Sequence, residues 1–109
     1  MASSFKNAHV AISTTNTDTT LYQAQNVIAT ICHGLYITNK HASANIQVTV
    51  KVIDNSASNA EMLVLHKVPI PPNSTLSLDK PLNLEVDDII KIASTNTECE
   101  AFASLLEQT

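Results

Sequence analysis

Between residues 45 and 52 the chain alternates without a fault. Ile46, Val48, Val50 and Val52 are apolar, and Asn45, Gln47, Thr49 and Lys51 between them are polar. A two-residue period puts one row of side chains against a core and the other toward water, which is the pattern of a half-buried β-strand. Upstream, Ile28 to Asn39 reads IATICHGLYITN and is equally rich in the β-branched and aromatic residues that fit a pleated surface. A short polar break, Lys40-His41-Ala42-Ser43, separates the two arms. Together they are expected to form a long antiparallel hairpin from Ile28 to Asp54, at the centre of an all-β domain.

The same period runs through the rest of the chain. Ala8, Val10 and Ile12 alternate within a first strand, residues 6–13, preceded by a loose N-terminal arm at residues 1–5. A turn at 14–18 leads to a short strand at 19–25. After Asp54, a polar tip (Asn55 to Asn59) leads to a strand at 61–68, with Met62, Val64, His66 and Val68 on one face and Leu63, Leu65 and Lys67 on the other. Pro69, Pro71 and Pro72 lack the N–H that a central ladder needs, so the chain should cross over in an extended form there. Strands follow at 74–78, 82–84, 89–94 and 98–106. The last places Cys99, Ala101, Ala103 and Leu105 on one face and Glu100, Phe102, Ser104 and Leu106 on the other. Its Ala, Glu and Leu also favour helix, but the alternation favours strand. About eight short strands separated by turns give an antiparallel β-sandwich or jelly roll over residues 1–109, a single domain. Gly34 is the sole glycine, so Asn, Asp and Ser must supply nearly all the turns. Gly34 itself lies inside a strand, where glycine marks a bulge.

Composition excludes several classes. The six basic residues are all lysines, scattered through a chain of net charge −4, which lacks the basic stripe and the arginines of a nucleic-acid binder. No apolar run reaches the roughly 20 residues of a membrane span, and the N-terminus carries no apolar signal segment. The expectation is a protein kept soluble in a cytosol. Cys32 and Cys99 fall in no metal-ligand spacing. They read as two buried thiols, with a Cys32–Cys99 disulfide open as an alternative if the last strand lies beside residues 28–39.

No constellation of catalytic groups emerges, and catalytic, cofactor-binding and metal-ligating residues are all expected to be absent. A Gly-rich phosphate loop is ruled out by the single glycine. His33 and Cys32 are adjacent on a strand and face opposite sides. His66 sits on an apolar face and reads as a core histidine; His9 and His41 read as surface or turn residues. The acidic pair Asp87-Asp88 reads as a solvated turn, since a calcium site needs six or more oxygens. Of the four aromatics, Phe5, Tyr22, Tyr36 and Phe102, Tyr36 and Phe102 are expected to be partly buried. That leaves a carbohydrate-binding or host-recognition module short of exposed rings.

Four segments together, HGLYITN (33–39), VTVKVID (48–54), VPIPPNSTLSLDKPLNLEVDDIIKI (68–92) and EAFASLLEQT (100–109), resemble small virion structural proteins of tailed bacteriophages. The resemblance covers residue 28 to the end. In such proteins a proline turn follows a hydrophobic strand, and an L-E-x-x-D turn often carries Gly where this chain has Asp87. The resemblance implies a β-sandwich without catalysis or cofactor, made in the bacterial host cytoplasm and located in the virion. A capsid decoration or cement protein is the first expectation, binding the major capsid protein as a symmetric homo-oligomer, with a trimer expected. A neck or tail component is the runner-up.

Overall fold

The computed structural model describes residues 2–109. Nine strands run in chain order: β1 (Ser3–Ala11), β2 (Thr19–Gln23), β3 (Ala29–Asn39), β4 (Ile46–Asp54), β5 (Ala60–Ile70), β6 (Ser74–Leu78), β7 (Leu82–Glu85), β8 (Ile89–Ser94) and β9 (Cys99–Gln108). A 3-10 turn, Asn55–Ala57, joins β4 to β5. Pairing is nested about that turn. β4 pairs with β5, β3 with β6 and β7, β2 with β8, and β1 with β9, all antiparallel. The chain is thus one long antiparallel ribbon doubled back on itself and rolled up. Cross-pairs β3–β9 and β4–β8 close the roll into two sheets. Sheet A has the order β1-β9-β3-β6, with β7 also on β3; sheet B has the order β2-β8-β4-β5. This is a jelly roll.

The expected hairpin over Ile28 to Asp54 does not form. β3 lies in sheet A and β4 in sheet B, so residues 40–45 carry the chain between sheets. Asn39 fixes that crossing. It is fully buried, and its Nδ2 donates to the carbonyls of Ala44 and Ile70, both at 2.9 Å, while its Oδ1 accepts from the His41 amide at 2.8 Å. His41 Nδ1 in turn accepts from the Ser43 and Ala44 amides. The polar break is therefore a hydrogen-bonded corner rather than a hairpin turn.

The N-terminal arm is also corrected. Ser3, Ser4 and Phe5 continue β1 and pair with Gln108, Glu107 and Leu106 of β9, and Ala2 exchanges backbone hydrogen bonds with Thr109. The arm's first residue, Met1, lies outside the described residues. On β5 the expected alternation fails at two register shifts. His66 and Lys67 together oppose Thr49, Lys67 takes φ 51°, and its amide donates to Thr49 Oγ1. This bulge turns His66 to solvent instead of the core. Pro69 is held in the strand, opposite Gln47, because β5 is an edge and its missing N–H costs no ladder bond.

Between the sheets lies an aliphatic core: Leu35 and Ile37 of β3, Ile46, Val48 and Val50 of β4, Ile90 and Ile92 of β8, and Ala101, Ala103 and Leu105 of β9. β4 and β9 bury the faces that their alternation predicts. A polar link between side chains crosses the core. The Tyr22 hydroxyl on β2 donates to Glu107 on β9 and sits 3.0 Å from Thr30 Oγ1 on β3. Among the described residues, no helix is long and apolar enough to cross a membrane.

Turn chemistry follows the expectation from a single glycine. Asn16, Asn26, Asn59, Asn73, Asp87 and Ser58 all adopt positive φ, and Gly34 does not.

Candidate functional site

The outer face of sheet A brings together residues far apart in sequence. β9 runs between β1 and β3, so register alone aligns cross-strand rows. Phe102 lies between His9 and Tyr36; one step along, Glu100 lies between Ala11 and Thr38. Neighbouring strands are about 4.8 Å apart, so the row of three rings spans about 10 Å. The two rows border a shallow recess of about 310 Å³.

Gly34 explains how the recess stays open. A register shift falls between Cys32 and Gly34, so the glycine does mark a bulge. A Cβ at Gly34 would stand 2.9 Å from Tyr36 Oη and 3.2 Å from two ring carbons. The Tyr36 ring therefore lies back along its own strand over bare backbone and leans away from Thr38. Tyr36 and Phe102 are each 39% exposed, partly buried as the sequence suggests yet open enough to present ring surface. Thr38 Oγ1 pairs with Thr75 Oγ1 on β6 at 3.0 Å, and Glu100 forms an open ion pair with Lys40 at 3.5 Å. Farther along the same face, Phe5 is 84% exposed and meets His33 edge-on, with ring centroids 6.4 Å apart.

A second cluster gathers at the opposite end of the strands. Asp54, Glu85 and Asp88 each bring one carboxylate oxygen within 4.8 Å of the others. Asp88, expected in a solvated turn, is buried. Its Oδ1 accepts from the Asn55 amide at 3.0 Å and its Oδ2 from the Glu85 amide at 2.9 Å. Ser56 Oγ bridges Asp54 and Glu85. The Asp88 side chain thus pins the central β4–β5 turn to the β7–β8 turn. These hydrogen bonds make the cluster a lock between the two turns.

Both cysteines are buried free thiols, and burial pushes both thiols above the ordinary value. β9 does lie beside β3, but Cys32 faces Leu105 and Cys99 faces Asn39. Seven residues of strand, roughly 20 Å, separate them, which excludes the disulfide. His33 and Cys32 face opposite sides, as expected.

Sequence reasoning named every residue of the aromatic row but did not assemble it. The missing signal was the pairing of β1 and β3 with β9, which no local pattern carries. Neither a protein-family model nor a curated protein sequence matches this chain.

Proposed function

We propose that the protein is a non-enzymatic building block of a bacteriophage particle, a capsid decoration protein that binds the major capsid protein and braces the shell as a symmetric oligomer. One observation carries the reading. Large apolar side chains stand exposed on two separate surfaces of the roll. Phe5, 84% exposed, lies on β1 at the free edge of sheet A, whereas Met62 and Leu63, 62% and 54% exposed, lie on β5 at the free edge of sheet B. Large apolar groups left exposed at such places suit contact surfaces, and a part that joins neighbours needs two of them. The sequence resemblance to small virion proteins supports the same reading, and the hydrogen-bonded turn lock and corner suit a rigid part that acts by its surface.

Deleting the protein from the particle tests this. The expected outcome is assembly of particles that release their genome at a lower temperature and under milder osmotic shock. Met62→Glu with Leu63→Glu should release the protein from particles without unfolding it. Density at the neck or tail in particle images would move the protein there; unchanged heat and shock survival would overturn the bracing role.

A further inference from the structure

We infer that the recess on the outer face of sheet A is a binding site for a neutral pyranoside. It stands whether or not the protein is carried on a particle. A pyranose ring offers two unlike surfaces: a flat face of C–H groups and an edge of hydroxyls. The two cross-strand rows match them in order. Tyr36 and Phe102 are adjacent across β3 and β9 and present open ring surface, while Glu100 and Thr38, one step along the same strands, offer a carboxylate and a hydroxyl. A carboxylate accepts from sugar hydroxyls and a threonine hydroxyl both donates and accepts. His9, on the far side of Phe102, adds a ring nitrogen at the end of the aromatic row.

The volume, about 310 Å³, lies at the small end of ligand pockets. The platform is preformed, because the tip of the Tyr36 ring rests against the bare backbone at Gly34. Charge favours a small polar ligand over a protein partner. Glu100 lines the recess beside the rings and holds an ion pair with Lys40 at 3.5 Å, whereas charged residues are depleted where a protein interface dries out. Glu100 also sets the class. Its carboxylate accepts from the hydroxyls of a neutral sugar, but it has no donor to offer the carboxylate of a uronic or sialic acid.

The test uses the whole chain, labelled with 15N, titrated with methyl pyranosides of glucose, galactose and mannose, with N-acetylglucosamine, and with glucuronate. The expected result is saturable amide shifts from at least one neutral sugar, confined to residues 9–11, 34–38 and 100–102. Phe102→Ala should weaken that binding roughly tenfold, the scale of one aromatic stacking contact, and Phe102→Trp should retain it. Because Tyr36→Ala uncovers Gly34, Glu100→Gln serves as the variant that leaves the fold alone; it should weaken neutral sugars and relax the exclusion of glucuronate. Val86→Ser, at the other end of the roll, should change nothing. No saturable shift with any neutral sugar, shifts away from this face, or preference for glucuronate in the natural chain would each overturn the inference. So would sedimentation showing an oligomer that Phe102→Ala converts to monomer, since the face would then belong to a second copy of the chain.

Discussion

At the scale of single residues, the chain uses side chains where other proteins use glycine, and each such choice has a measurable cost. Asp87 takes φ 68°, and its amide donates to the Ala24 carbonyl across to the β2–β3 loop. A left-handed backbone costs an L-residue about 1–2 kcal/mol, less for Asp and Asn. Asp87→Gly should therefore stabilise the fold by about 0.5–1 kcal/mol, read as a raised midpoint in urea with an unchanged slope; a lowered midpoint would mean that the Asp87 side chain supports the turn. Tyr22 gives the opposite case. Burial, reinforced by the hydrogen bond to Glu107, pushes its phenol up to about 12. An unfolded chain releases that proton near pH 10, so the native state binds more protons between the two values. The Tyr22 contribution is complete below pH 10 and is lost as pH rises from 10 toward 12. Tyr22→Phe removes this loss and the link to buried Thr30. It should cost about 1–2 kcal/mol at pH 7 and flatten the alkaline limb of a stability-against-pH curve.

At the scale of elements, faces were legible in the sequence and neighbours were not. Two-residue alternation reports which side chains point inward, because burial acts on side chains directly. It does not report which strand fills the ladder, because backbone hydrogen bonds carry no side-chain signature. So β4 and β9 bury the predicted rows, yet β4 pairs with β5 and β8 and never with β3. Two polar breaks, 40–43 and 55–59, looked alike. Asn39 makes the first a corner by holding Ala44 and Ile70, contacts invisible in one dimension. Two bulges erase the alternation of β5, so the sequence pattern points His66 at the core whereas the folded strand leaves it in solvent. The candidate site failed to appear for the same reason: its rows run across three strands. The facing of β4 has a sharp test. Val50 is fully buried and Gln47 on the same strand is exposed. Val50→Asp should cost about 4–5 kcal/mol, enough to unfold a domain of marginal stability, while Gln47→Asp should stay within about 0.5 kcal/mol. Equal melting curves for the two variants would invert the assigned face.

At the scale of the whole molecule, the nested ribbon grades the structure from its centre outward. β4 and β5 meet across a short turn, whereas β1 and β9 are separated by nearly the entire chain. Loop closure must precede contacts of such separation, so the outermost pair forms late. β1 is also the least buried strand: Ser3 through Asn7 are all exposed. Few buried contacts mean low local stability. Amide exchange should therefore be fastest in residues 3–7 and slowest in β4, β8 and the middle of β9. Removing residues 2–7 goes further. The rest of the roll keeps its core, since no residue of that segment belongs to it, but half of β9 becomes a free edge beside Leu106 and the uncovered His33 ring. Unpaired edges recruit other chains. The shortened protein should retain its β-sheet spectrum and sediment as concentration-dependent aggregates. If it instead remains dispersed with unchanged stability, β1 does not protect β9. If it loses its sheet spectrum, the pairing of β1 with β9 is part of the core fold rather than its outer layer.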